Sequence, residues 1–357
     1  MVKLSVLKDR YFLIGLIMVL GFIILALTNP FYHQVPLNAE ISQDSNFTPL
    51  TREGFLELDI QEKYSYLEKL TGQKGLKSTW SFIVDTYQNN PGSGNVAHDL
   101  AHFMGGLIFD KSGFSGLSIC SPTFAYGCFH GFLDKAFYLG TEKLSEAEQA
   151  CNKLGPQNSG PVASCVHGIG HGLASFHKVK DLEASLKECN KLINNQQFCY
   201  DGVFMEFERS ASTNFYNQED PLSPCNKLPE IYDTACGRNQ PMVMIRRFGF
   251  VVGQVAEICN TSTSEVFKEA CFDSLGSYSV LSSQADTDKI ISLCKMQPLL
   301  VNFQKRCLRF AAGEMVFQDL PNWRQKSEVI CRSLENQDEQ IDCMSYIHRI
   351  AQDYQRN

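Results

Sequence analysis

The stretch Cys165-Val-His-Gly-Ile-Gly-His-Gly172 joins a cysteine to two histidines four residues apart, His167 and His171. On a helix that spacing sets both imidazoles on one face, one turn above the other. Two other stretches echo it. Cys128-Phe-His-Gly131 matches its first half, and Val96-Ala-His-Asp-Leu-Ala-His102 matches the His-x-x-x-His, with Val96 in place of the cysteine. Five of the chain's eight histidines (His98, His102, His130, His167, His171) fall in these three frames.

Outward from these frames the chain repeats. Its fourteen cysteines form neighbouring couples: Cys120 with Cys128, Cys151 with Cys165, Cys189 with Cys199, and Cys225 with Cys236. Cys259 with Cys271, Cys294 with Cys307, and Cys331 with Cys343 complete the series. First cysteines follow one another at 31 to 38 residues, the period of helical-hairpin repeats. Three couples open on the same word, Cys151-Asn-Lys-Leu, Cys189-Asn-Lys-Leu and Cys225-Asn-Lys-Leu. Helical spacing precedes first cysteines, as in Asp181 to Glu188, Asp286 to Leu293 and Arg324 to Ile330. It follows second cysteines in Phe272 to Leu281 and Leu308 to Gln318. Each unit therefore reads as helix A, a turn and helix B, with a disulfide from the end of A to the start of B. Such a bridge restricts the unfolded chain and stabilises by roughly 2 to 3 kcal/mol.

Upstream, the apolar period predicts helices over Asp59 to Leu70, stopping at Gly72, and over Leu76 to Gln88. Asn95 reads as the N-cap of a helix starting near Val96, helix B of an eighth unit without cysteines. No segment alternates like a strand. The expected fold is all-α, stacked α/α hairpins in an open superhelix or a closed toroid, with one disulfide per hairpin.

This layout resembles the secreted cysteine-rich, tetratricopeptide-like repeat proteins of bacteria, which stack short α/α hairpins each closed by one disulfide. The resemblance spans Cys120 to Cys343 in architecture. The regular leucine, tyrosine and glycine consensus of those repeats is missing here, and no function carries over. Cys-Val-His-Gly and Cys-Phe-His-Gly are also similar to the Cys-His-Gly of lanthionine cyclases, zinc enzymes built as a ring of helical hairpins. Here a residue separates the cysteine from the histidine, and the cysteines read as disulfide-bonded.

Composition sets the class and the compartment. The net charge of -7 and the lack of any basic run argue against a nucleic-acid partner. Tyr11 to Leu27 is an uncharged apolar run just long enough to span a bilayer. Lys3, Lys8 and Arg10 precede it, and Glu40 and Asp44 are the first charges after it. That asymmetry predicts a cytoplasmic N-terminus over 1–10, a transmembrane anchor over 11–28, a flexible Pro-containing stalk over 29–50, and an extracytoplasmic repeat domain over 51–357. A cleaved signal peptide, with Ala39 after its processing site, is the alternative. The even cysteine count and the absence of any Cys-x-x-Cys favour disulfides over zinc thiolates, hence a periplasmic, extracellular or lumenal location.

Aligned on the second cysteine, the residue two places on runs His98, His130, His167, Asp201, Arg238, Asp273, Arg309, Ser345. The residue six places on runs His102, Asp134, His171, Met205 in the first four units. Neighbouring B helices lie about 8 to 10 Å apart, so these side chains converge within 96–206. Five imidazoles with the carboxylates of Asp134 and Asp201 make a candidate site for a divalent transition metal: zinc, iron, copper or manganese. More than four ligands permit two ions. Placement near helix N-termini disfavours protonated histidine, the adjoining glycines permit close backbone approach, and Asp99 is a candidate acceptor behind a ligand histidine. Taken singly, each histidine reads as a buried polar group bonded to a carbonyl; together they also fit an anion-binding or pH-sensing cluster. His33, His177 and His348 lie outside the frame. The expected function is a metal-dependent hydrolase or oxidase, with no catalytic residue assigned. The alternatives are a scaffold that binds a protein or peptide and a metal-capture protein.

Overall fold

Asp59 opens the first long helix by accepting from the Glu62 backbone N–H while Glu62 reaches back to the Asp59 N–H, a reciprocal cap. The computed structural model describes residues 47–88, 94–210, 215–297, 300–318 and 320–353. The expected anchor at 11–28 and the expected stalk up to residue 46 lie outside the described residues. No helix among the described residues is long and apolar enough to cross a membrane. Phe47 to Leu50, the last of the predicted stalk, lie against the first long helix: the Phe47 and Tyr66 rings are 5.4 Å apart and Leu50 N–H donates to the Tyr66 hydroxyl.

The described residues form sixteen α-helices and no strand. The first four are α1 Arg52–Leu56, α2 Ile60–Lys74, α3 Leu76–Tyr87 and α4 Gly94–Ser112. Then come α5 Gly127–Phe137, α6 Leu144–Asn152, α7 Gly160–Phe176, α8 Leu182–Cys189 and α9 Gln196–Arg209. α10 Asp233–Phe248, α11 Val252–Asn260, α12 Glu265–Ser282 and α13 Thr287–Lys295 follow. α14 Val301–Phe317, α15 Trp323–Arg332 and α16 Gln337–Asp353 complete the series. Local chemistry sets many of the starts: Asp181, Ser264 and Asp286 each cap a helix by accepting from a backbone N–H two or three residues on.

All seven disulfides join the neighbouring cysteines, Cys120–Cys128 through Cys331–Cys343, at separations of 8 to 14 residues. This usage suits an oxidising, extracytoplasmic compartment. The helices that carry the second cysteines pack in sequence behind the cysteine-free α4: α4 on α5, then α7, α9, α10, α12, α14 and α16. Their apolar sides fill one core with Phe129, Phe132, Phe204, Phe207, Phe272 and Phe303, all fully buried.

Three local expectations are corrected. α2 runs through Gly72 and stops at Gly75, whose φ of +82° is a conformation that only glycine adopts without strain. α4 begins at Gly94, so Asn95 lies inside it rather than capping it. The A helix is missing before two first cysteines: Cys120 follows a 3-10 segment, Gly113–Ile119, and Cys225 opens a short 3-10 turn, Cys225–Lys227. Pro221, Pro224 and Pro229 surround the second of these, and proline both lacks the N–H and clashes with the preceding turn.

Candidate metal centre

Close helix crossings bring the histidines together. On α5, a Cβ at Gly131 would collide with the His102 carbonyl of α4, and on α4 a Cβ at Gly105 would collide with the Cys128 carbonyl of α5. The α7–α9 crossing repeats the device, with Gly170 against Cys199 and Gly202 against His167. Side chains two residues after each second cysteine therefore face one another across backbones in contact. The imidazole centroids of His130 lie 5.9 and 5.4 Å from those of His98 and His102, and 5.6 and 4.6 Å from those of His167 and His171.

The i,i+4 pairs meet through their outer nitrogens. Nε2 of His98 is 3.2 Å from Nε2 of His102, and Nε2 of His167 is 3.0 Å from Nε2 of His171. The opposite nitrogens face acceptors. His98 Nδ1–H donates to the Phe124 carbonyl at 2.9 Å, and His171 Nδ1–H donates to Glu206 Oε2 at 2.8 Å. His167 Nδ1 lies 3.5 Å from Asp201 Oδ2, and His102 Nδ1 lies 3.8 Å from Asp134 Oδ2. Asp134 and Asp201 thus stand behind imidazoles, on the side away from the Nε2 contacts. Such acceptors fix the tautomer and orientation of a ligand histidine.

Burial disfavours the charged form of three of these rings. It pushes His102 down to about 3, helped by the neighbouring His98, and holds His130 well below its ordinary value. It takes His171 down to about 4 against the pull of Glu206. Loss of solvent, more than proximity to a helix N-terminus, does this: His102 and His171 are the ninth and twelfth residues of their helices. Among the carboxyls, burial and the charge of Glu206 raise Asp134 to about 8. Burial also acts to raise Asp201 and Glu206, but it is outweighed. Hydrogen bonds from His167 and His171, with the charges of Arg238 and Arg209, hold both below the usual range. Two buried polar atoms here have no hydrogen-bond partner, His130 Nδ1 and Asp134 Oδ1.

Three imidazole nitrogens of His98, His102 and His130 lie within 4.8 Å of one another, as do three from His130, His167 and His171. These are the groupings that can hold an ion among the described residues. Two participants were not foreseen from sequence. Glu206 sits one residue past the frame position of Met205, where a helix has turned a further 100°. The Phe124 carbonyl is presented by three consecutive left-handed residues, Phe124, Ala125 and Tyr126 (φ 58°, 48° and 63°), a costly conformation with no glycine to announce it. Asp99 bears instead on Tyr64, which it helps hold in the neutral form.

Farther along the frame the chemistry becomes ion pairing. Arg306 grips Asp273 with two nitrogens at 2.7 and 2.5 Å, and Arg309 pairs with Asp342 at 3.0 Å. His348 is exposed on α16, His177 follows the end of α7, and His33 lies outside the described residues. No family model matches the chain, and no curated protein or solved structure matches it.

Proposed function

We propose that the protein is a membrane-anchored, extracytoplasmic α/α repeat protein whose N-terminal units bind a divalent transition metal through His98, His102, His130, His167 and His171. The observation that carries this reading is the His167–His171 contact. Both Nδ1 atoms face carboxylates, at 3.5 and 2.8 Å, which favours the tautomers whose Nε2 lone pairs meet across 3.0 Å. With the tautomers those acceptors favour, a cation between or beside the two lone pairs relieves their repulsion. Bonds of about 2.0 to 2.1 Å to one zinc-like ion set neighbouring ligand nitrogens roughly 2.9 to 3.4 Å apart for angles between 90° and 109°. Both Nε2–Nε2 distances fall in that range.

Three imidazoles per group match catalytic rather than purely structural sites, because a fourth position is left for water or substrate. That supports a metal-dependent hydrolase or oxidase, in which the ion would polarise substrate or activate water. Metal capture without turnover is the second reading, favoured by the burial of His130 and His171, which are 6% and 2% exposed. The tetratricopeptide-like stacking is supported by the sequential packing of the cysteine-bearing helices. A closed ring is supported by Tyr126 at the start of α5, whose ring lies 5.7 Å from that of Phe317 at the end of α14.

Elemental analysis of the purified, untagged protein tests the proposal. Zinc, iron, copper or manganese should co-purify or bind stoichiometrically, and His167→Ala with His171→Ala should abolish binding while the disulfides remain intact. Absence of metal after replete growth, or a double variant that binds as the parent does, would sink it. A protein or peptide scaffold would then be the remaining reading.

A further inference from the structure

We infer that the centre takes two metal ions and that His130 bridges them, giving one ring nitrogen to each. The inference rests on the metal reading above and goes beyond it in ion number and in the role of one residue.

Reach excludes a single ion for all five histidines as they stand. With bonds of about 2.0 to 2.1 Å, the two most distant ligand atoms of one ion are at most roughly 4.2 Å apart. The ring nitrogens instead gather into two triads, each within 4.8 Å, and no described grouping combines all five. One ion serves His98, His102 and His130, and a second serves His130, His167 and His171. His130 is the one member common to both.

His130 is also the one imidazole of the five with neither nitrogen committed. The others turn Nδ1 toward Phe124 O, Asp134, Asp201 or Glu206, which leaves Nε2 alone to bind. Nδ1 of His130 is buried without a partner, a condition that a native interior rarely tolerates unless something else satisfies the atom. A ligand at each nitrogen satisfies both. The ring lies between the two histidine pairs, within 4.6 to 5.9 Å of all four centroids.

The chemistry balances without a redox partner. A neutral imidazole gives its one lone pair to the first ion. The second ion displaces the remaining N–H proton, which leaves to solvent, and the imidazolate supplies one negative charge between two dications.

The test uses the full chain, stripped of metal and titrated with Cu(II), with ions counted per chain and the electron paramagnetic resonance spectrum recorded. Two copper ions per chain are expected, with isolated-Cu(II) intensity well below two spins because the bridge couples them. His130→Ala should restore the uncoupled signal. His98→Ala with His102→Ala should leave one ion per chain, uncoupled, and this second variant serves if the first does not fold. One copper per parent chain would overturn the two-ion inference and leave the metal reading standing. Two copper ions at full uncoupled intensity, or coupling that survives in His130→Ala, would overturn the bridge. No bound copper, with no other transition metal taken up, would overturn the metal reading itself.

Discussion

Glu206 accepts the Nδ1 proton of His171 at 2.8 Å, and that contact decides which nitrogen of His171 is left to bind. A carboxylate in that position raises the basicity of the ring as well as orienting it. Glu206→Gln keeps the shape but removes the charge and can present an NH2 group where an acceptor is needed. The variant is expected to keep its fold and to lose about 10- to 100-fold in metal affinity, the usual effect of removing such a partner. Competition with a chelator of known affinity measures it, and an unchanged affinity would mean that Glu206 is only a neighbour. At this scale the sequence was legible in part. The five histidines, Asp134 and Asp201 follow from one register, because each helix repeats the same offset from its cysteine. Glu206 and the Phe124 carbonyl do not, since one stands a residue off the register and the other is backbone shaped by a strained turn.

Between elements, glycine sets how near the histidines come. Gly105 and Gly106 are neighbours on α4 with opposite surroundings. A Cβ on Gly105 would run into the backbone of α5 at Cys128 and Phe132, whereas a Cβ on Gly106 would meet nothing closer than 3.7 Å. Gly105→Ala therefore forces α4 and α5 apart. It should destabilise by about 1 to 3 kcal/mol or more, as overpacking does, and weaken binding by the His98, His102 and His130 group. Gly106→Ala should be neutral or stabilising by up to about 1 kcal/mol, since alanine is the better helix former. Thermal unfolding of the two variants beside the parent decides it; equal effects would show that the crossing has slack. The same scale explains which helices could be read from sequence. Apolar periodicity and position relative to the cysteines located most of them, because those signals recur in every unit. The stop at Gly75 rather than Gly72 did not show, because a glycine inside a helix and one ending it look alike until the backbone turns. The A helix before Cys225 gave way to prolines that helical periodicity alone does not weigh.

Across the whole molecule, the seven disulfides are all local, closing loops of 8 to 14 residues, so no bridge ties distant units together. Each stabilises by roughly 2 to 3 kcal/mol through restriction of the unfolded chain. Distant parts communicate through the contacts between successive helices instead, and in such arrays a perturbation decays with the number of interfaces crossed. Two equivalent lesions should then have different consequences. Cys331→Ser with Cys343→Ser frees α15 from α16 at the far end, where α16 is still held by the Arg309–Asp342 and Lys305–Glu339 pairs and by the tilted contact of Phe310 with Tyr346. Stability should fall, but metal should bind as in the parent, because α16 supplies no ligand and reaches the ligand helices only through others: α14, α12 and α10 along the stack, or α14 and its Tyr126–Phe317 contact with α5. Cys151→Ser with Cys165→Ser frees α6 from α7, and Cys165 is two residues from His167 on the helix that carries two of the five imidazoles. Loss of that bridge lets α7 shift along Gly168 and Gly172, which pack closely against Phe129 and Leu133 of α5. A shift of half an ångström there moves His167 and His171 together relative to His130 of α5, whose ring centroid lies 5.6 and 4.6 Å from theirs. Metal affinity should drop in this variant even at temperatures where circular dichroism shows it folded. Equal losses in both variants would mean that the units are coupled globally, and the neighbour-by-neighbour account would have to be given up.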